Sequence, residues 1–179
     1  MTSQRTYPET ASGPFPEPPV SFTDREDRTI TVRVYDDEED LDALVEMYDD
    51  FDPSDRAQGI PPIGEDRIRN WLDHLLEEGS KNIVAQSEAA IVGHATLVED
   101  DDDGYELAIF VHQDYQGSGI GTRLLRTLLG YGKAEGVEKV WLTVERWNRP
   151  AVKLYEKVGF ETTEAESFEL EMAIRLSPE

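Results

Sequence analysis

Apolar positions recur along this chain with two periods, and the switches between them outline alternating strands and helices. Thr29-Ile-Thr-Val-Arg-Val-Tyr35 alternates with β-branched residues, the period of a half-buried first strand. Asp36 and Asp37 are suited to cap the helix that follows, in which Leu41, Leu44, Val45 and Tyr48 fall at helical spacing. A breaker-rich loop, Asp52 to Pro62, leads to a second amphipathic helix marked by Ile68, Trp71, Leu72, Leu75 and Leu76 and closed near Gly79. Asn82 to Ala85 and Ala90 to Val98 read as strands paired about a Ser87-Glu88-Ala89 turn, and Tyr105 to His112 as the next strand after an acidic turn. Leu124, Leu125, Leu128 and Leu129 set one face of a helix against the core, although Gly130 and Gly132 weaken its end. Lys139 to Val144 is a buried-looking strand. Pro150 sits in the first turn of a final helix that Gly159 stops, and Glu169 to Leu176 alternates as a last strand. The predicted order is strand, two helices, three strands, helix, strand, helix, strand. That order makes an α/β domain with one mixed sheet flanked by about four helices.

Residues 1–28 carry neither period. They hold five of the ten prolines, four of them at Pro14, Pro16, Pro18 and Pro19, and read as a disordered or extended tail ahead of a domain spanning 29–179. A chain of 179 residues is long enough for one domain with a substantial core. Cysteine is absent, which excludes disulfides, thiol catalysis and Cys-ligated metals. No apolar run approaches the ~18 residues of a membrane span and the N-terminus lacks the apolar core of a signal peptide, so a cytoplasmic protein with no membrane association is expected.

Charge changes the picture further. With 39 acidic against 17 basic residues the net charge is −22, which disfavours nucleic acid, whose binding rests on Lys and Arg. Such an acidic chain resembles proteins of organisms that keep molar salt in their cytoplasm, so a halophilic source is expected; salt would screen the self-repulsion. Attraction of a basic substrate is a second, compatible reading. The run Glu99 to Asp103 lacks the ligand spacing of a calcium loop and reads as a solvated hairpin tip; no metal is implied.

Between the Tyr105 to His112 strand and the Leu-rich helix lies Gln116-Gly-Ser-Gly-Ile-Gly121. Alternating glycines allow φ > 0 and close backbone approach, and a helix N-terminus offers unpaired N–H groups and a positive dipole end; together they suit an anion such as a diphosphate. The same loop also reads as a tight strand-to-helix turn with no ligand. It is not a dinucleotide fingerprint, because Thr122 stands where a third glycine is needed, and it is not a P-loop, because Gly-Lys-Ser/Thr is missing.

The remaining pattern, Gln-x-x-Gly-x-Gly at Gln116, Gly119 and Gly121 with Val111 five residues ahead, resembles the acetyl-CoA loop of the GNAT N-acetyltransferase superfamily. Asn148 followed by Ala151-Val-Lys-Leu-Tyr155-Glu-Lys-Val-Gly-Phe160 resembles that family's second hallmark. The resemblance covers roughly Thr29 to Leu176 and agrees with the predicted element order.

It implies a GNAT-like sheet and an acetyl-CoA-dependent transfer to a primary amine, directly in a ternary complex. Acetyl-CoA would be the co-substrate, with its diphosphate on Gln116, Gly117, Ser118, Gly119, Ile120 and Gly121. Backbone groups of Ile109, Phe110 and Val111 would hold the pantetheine and polarise the thioester. Asn148 would contact the cofactor or cap its helix. By spacing alone Tyr155 reads first as a core aromatic with Leu154 and Val158; the resemblance reverses that order, because Tyr155 occupies the position from which such enzymes commonly protonate the departing thiolate. Glu106 is the first candidate base, because an amine with pKa near ~10.4 must lose a proton before it attacks. By alternation Glu106, Ala108, Phe110 and His112 share one face of their strand unless it carries the bulge common in the family. His94 and His112 are reserve bases.

The resemblance also implies that the first two helices and Phe51 to Ile63 shape the acceptor side. Asp52-Pro-Ser-Asp-Arg56 faintly resembles the Ser-Pro-x-Ser-Arg loop of protein-lysine acetyltransferases. The acceptor stays open between a small-molecule amine, a protein lysine and a protein N-terminus. A non-catalytic acetyl-CoA sensor is the alternative, needing the loop but neither Glu106 nor Tyr155. Oligomeric state is not legible.

Overall fold

A computed structural model of the chain describes residues 5–56, 60–100 and 104–178. Among these lie eight strands, β1 (Val20–Thr23), β2 (Thr29–Val34), β3 (Lys81–Ser87), β4 (Ala90–Glu99), β5 (Tyr105–Val111), β6 (Lys139–Glu145), β7 (Glu161–Ala165) and β8 (Glu169–Arg175). Four helices accompany them, α1 (Asp37–Asp49), α2 (Glu65–Leu75), α3 (Ile120–Ala134) and α4 (Arg149–Val158). The strands form one sheet in the order β1-β2-β3-β4-β5-β6-β8-β7, antiparallel except where β5 meets β6. None of the described helices is long and apolar enough to cross a membrane.

Strand alternation divides the core in two. Ile30, Val32, Ala95, Leu97, Leu107, Val140, Leu142, Met172 and Ile174 point to the side covered by α3 and α4, where they meet Leu124, Leu125, Leu128 and Tyr155. Val84, Ile91 and Phe110 point the other way and meet α1 and α2 through Leu44, Tyr48, Ile68 and Trp71. The expected local signals are used as read. The Asp36 carboxylate caps α1 by accepting from the Glu38 N–H (3.1 Å), Pro150 lies in the first turn of α4, and Gly159 ends that helix at φ 126°. Glu88 sits at φ 54° in the β3–β4 turn. The acidic hairpin tip falls largely on residues 101–103, outside the described residues.

Two strands were not anticipated, and both are edges. β7, with the sequence ETTEA, is mostly exposed, so no buried face imposes alternation on it. β1 belongs to the proline-rich segment that the sequence reading placed outside the domain. From Arg5 onward that segment is extended, but it is docked on the domain throughout. The Arg5 guanidinium lies 3.4 Å over the Trp141 ring and pairs with Glu171 and Asp100 (3.3 and 3.6 Å). The Ser12 N–H then donates to the Arg175 carbonyl (2.8 Å). Further along, Phe15 packs on the α3 side of the core, beneath the Arg126 guanidinium. Gly130 is what permits this crossing: a β-carbon there would collide with the Pro16 carbonyl. The two glycines that weaken α3 in isolation therefore serve tertiary packing, Gly132 leaving room for Leu97 in the same way.

The β4–β5 register runs unbroken from Gly93↔Val111 to Glu99↔Tyr105, so β5 carries no bulge. The irregularity lies one strand over, where Gly93 and Ile91 of β4 face Ala85 and Gln86 of β3 and leave Val92 unopposed.

Candidate functional site

The glycine loop is built as a strand end, a 3-10 turn at Gln113–Tyr115 and the start of α3. Gly117 adopts φ 72°, and Gly119, the N-cap of α3, is left-handed at φ 93°, conformations that L side chains rarely adopt. Ser118 is buried and donates its hydroxyl to the Tyr115 carbonyl (2.5 Å), while Ile120 anchors the loop in the core. The Gln116 side-chain nitrogen donates to the Val111 carbonyl (2.9 Å) and to Asp55 (3.1 Å), so its amide shapes the loop. With these tethers in place, the backbone N–H groups from Gly117 to Thr122 find no acceptor among the described residues. The first turn of α3 contains no carboxylate, in contrast to α1 with four and α2 with two. Six consecutive donors at the positive end of a 15-residue helix fit an anion of the size of a diphosphate.

The second element is a split in the sheet. Parallel β5 and β6 pair only at Tyr105↔Val140 and Glu106↔Trp141, so the rest of the β5 edge diverges from β6 toward the end that carries the glycine loop. Leu107, Ile109 and Val111 turn their side chains to the α3 face, and Phe110 joins Tyr48 and Trp71 in an edge-to-face cluster on the α1/α2 face. Regular alternation puts Glu106 and Ala108 on that same α1/α2 face. Glu106 stays exposed at the closed end of the split, across from Trp141. Desolvation there pushes its carboxyl above the usual carboxylate range, with Arg5 pulling it down and Asp100 pushing it up.

Tyr155 approaches from the opposite side. It is nearly buried on α4, ring to ring with Phe160 at 5.7 Å, and burial pushes its phenol up to about 12. Glu106 and Tyr155 thus belong to opposite faces of the sheet, Glu106 on the α1/α2 face at the closed end of the split and Tyr155 among the residues packed on the α3/α4 face. Asn148 caps α4 by accepting from the Ala151 N–H (3.3 Å) through its side-chain oxygen, and its side-chain nitrogen remains a donor without a partner among the described residues.

The two reserve histidines take structural positions. His94 is fully buried between the Tyr48 hydroxyl at Nδ1 (2.6 Å) and the Asn82 side-chain oxygen at Nε2 (2.7 Å), and burial lowers its pKa to about 3. It is shut away from the split. His112 accepts from the Asp114 N–H at Nδ1 (3.2 Å) and meets Asp50 at Nε2 (2.9 Å), pinning the end of α1 to the loop. Gln113 reinforces that link, accepting from the Asp52 N–H (3.0 Å) and donating to the Asp50 carbonyl (2.7 Å). The region expected to shape the acceptor side, Phe51 to Ile63, is thus tied directly to the glycine loop, except for residues 57–59, which lie outside the described residues.

Sequence reading missed Arg25 and Arg28. Arg25 donates to the Gly117 carbonyl (3.3 Å), and Arg28 donates to the Asp114 carbonyl (3.0 Å) while stacking on Tyr115. No local pattern marks residues that reach a loop some ninety positions away.

A split mixed sheet beside a glycine-capped helix, with donors free at its N-terminus, provides an anion-accepting helix end that opens onto an unpaired strand edge. The sequence profile of the acetyltransferase (GNAT) family matches residues 41–160, and the chain belongs to that family. It is an acetyltransferase enzyme, which sets aside the sensor module weighed from the sequence. An uncharacterized N-acetyltransferase of Mycobacterium tuberculosis is 29% identical over 121 residues, covering 62% of this chain and 78% of the relative. Among solved structures, the GNAT domain of S. lividans PAT superposes with a TM-score of 0.73 at 15% identity, covering 88% of this chain and 97% of that domain. YncA, a putative acetyltransferase from Salmonella typhimurium solved with its cofactor acetyl-CoA, superposes with a TM-score of 0.68 at 21% identity, covering 84% of this chain and 95% of that one.

Proposed function

We propose that this enzyme transfers an acetyl group from acetyl-CoA to a primary amine, directly within a ternary complex. The observation that carries the reading is the run of free N–H groups from Gly117 to Thr122 at the open end of the β5/β6 split. These free donors and the unpaired strand edge leading from them are what support the reading. When bound, acetyl-CoA supplies the acetyl group as an activated thioester. The amides of Gly117 to Gly121 and the α3 dipole hold its diphosphate, with the Asn148 side-chain nitrogen as a further donor. The β5 edge at Ile109 and Phe110 binds the pantetheine arm and polarises the thioester carbonyl. The carbonyl of Val111 is engaged by Gln116, so that residue contributes through packing and its N–H.

Glu106 removes the proton from the acceptor ammonium, and its raised pKa brings its basicity closer to neutrality. As the carbon–sulfur bond breaks, the Tyr155 hydroxyl, kept protonated by burial, donates its proton to the thiolate. The amine nitrogen sheds its second proton as the amide forms and returns it to the Tyr155 phenolate, so one ammonium proton rests on Glu106, the CoA thiol has gained one in exchange for the other, and the acetyl carbonyl is retained in the new amide.

The acceptor is a cation. Beyond Trp141 the Glu106 face of the sheet continues through Thr143, Glu145, Glu169 and Glu171, and Glu145 stands directly opposite Glu169. Like charges in register repel, and no Lys or Arg among the described residues pairs with either of them. An ammonium-bearing small molecule, lysine side chain or protein N-terminus relieves that repulsion.

The test is release of free thiol from acetyl-CoA with a panel of amines, polyamines and lysine-bearing peptides at high salt. Tyr155→Phe is expected to lower kcat by about 100-fold or more with CoA affinity retained. Turnover of this variant at the parent rate would remove Tyr155 from the chemistry.

A further inference from the structure

The β1–β2 turn is a built platform facing the glycine loop. The Asp24 carboxylate is buried beneath it and accepts from the N–H groups of Glu26 (3.0 Å) and Arg28 (2.9 Å), while its second oxygen meets the Arg28 side chain (2.8 Å). Asp27 completes the turn at φ 62°. From this frame Arg25 makes two contacts with the loop, its backbone N–H to the Ser118 carbonyl (3.1 Å) and its guanidinium to the Gly117 carbonyl (3.3 Å). The Arg25 Nε stands 4.0 Å from where a β-carbon on Gly119 would be, beside the N-terminus of α3.

Arg5, Arg28, Arg33 and Arg69 each pair with a carboxylate. Arg25 has none within ion-pair distance among the described residues, in a chain with 39 Asp and Glu. Its charge instead adjoins the positive end of a helix whose first turn has no acid. A guanidinium and a helix N-terminus repel each other in isolation and cooperate on a phosphate.

We infer that Arg25 is a cofactor-binding residue whose guanidinium closes over the diphosphate of acetyl-CoA opposite the Gly117 to Gly121 amides, making the N-terminal segment part of the cofactor site. The inference rests on the loop being that site, as proposed above. Two of the five guanidinium donors suffice for the diphosphate oxygens while one keeps its bond to Gly117.

Calorimetric binding of CoA and of 3′-dephospho-CoA to the full chain tests this, using the parent, Arg25→Gln, Arg25→Lys and Gly119→Asp. Arg25→Gln is expected to weaken both ligands equally, by about 10- to 100-fold, the scale of a charge-assisted hydrogen bond, with Arg25→Lys in between. Turnover with S-acetylpantetheine, which has no diphosphate, should be unaffected by Arg25→Gln. Because Arg25 is exposed, the melting temperature of the free variant should match the parent, which separates binding from folding. Parent-like CoA binding by Arg25→Gln, with binding lost in Gly119→Asp, would overturn the inference and leave the loop assignment standing. Parent-like binding by both variants would overturn the loop assignment itself. Weakening confined to CoA would overturn the diphosphate contact in favour of the 3′-phosphate.

Discussion

Gly119→Ala separates the fold from the cofactor site, because the structure allows its two costs to be worked out independently. Gly119 caps α3 at φ 93° and ψ −1°, where an L residue is disfavoured by about 1–2 kcal/mol. Its β-carbon would meet nothing closer than Arg25 Nε at 4.0 Å, so no steric clash adds to that strain. For a domain of this size the melting temperature should fall by about 2–8 °C. Binding is affected through a different route: the methyl projects where a diphosphate must approach the free N–H groups. Loss of two charge-assisted hydrogen bonds at about 1.5–3 kcal/mol each weakens CoA by about 10²- to 10⁴-fold. Gly64→Ala is the matched control. Gly64 caps α2 at φ 97° and ψ 139°, outside the left-handed well, with nothing within 4 Å of the added carbon, so it carries at least as much backbone strain away from the glycine loop. Scanning calorimetry should show destabilisation in both variants, at least as large for Gly64→Ala, and titration with CoA should show an affinity loss only for Gly119→Ala. Such destabilisation of Gly119→Ala with CoA affinity within about twofold of the parent would refute the cradle.

Three further outcomes follow from the electrostatics. Glu106→Gln should flatten the acid limb of the kcat/KM profile, and Arg5→Ala should move that limb to higher pH, since Arg5 holds the Glu106 carboxyl down; an unmoved limb in both variants would exclude Glu106 as the base. His94, at about 3 in the fold against 6.5 when unfolded, binds its proton first in the unfolded chain. Its contribution is therefore present above pH 6.5 and is lost as pH falls toward 3, at about 1.4 kcal/mol per unit. Denaturant titrations of the parent against His94→Gln should show their stability difference shrinking across that window, and a constant difference would contradict the buried neutral imidazole. Finally, a net charge of −22 predicts a lower melting temperature in millimolar than in molar KCl, with equal values counting against charge repulsion and the halophilic reading.

Wherever one face of an element had to be buried, the element was legible in the sequence. The alternation of Thr29 to Tyr35, the leucines of α3 and the Asn148-to-Gly159 caps each describe a local requirement met by adjacent residues. The glycine motif likewise encodes its own conformation, because left-handed Gly119 and the free N–H groups beyond it depend on residues within one turn. The core elements in their order and the conformation of the glycine loop were therefore legible in the sequence alone.

Tertiary structure decided what depends on distant partners. β7 and β1 are edge strands without a two-sided core, so their pairing with β8 and β2, rather than their own pattern, makes them strands. Gly130 looks like a flaw in a helix until the Pro16 carbonyl lies against it. Solvation separated the candidate bases: His94 and Glu106 both sit on the α1/α2 face of neighbouring strands, yet one is enclosed by Tyr48 and Asn82 and the other is exposed beside Trp141. Arg25 reaches the loop only because a turn braced by Asp24 carries it there. Local sequence set the conformation of the glycine loop; burial and long-range packing determined which charged groups surround it.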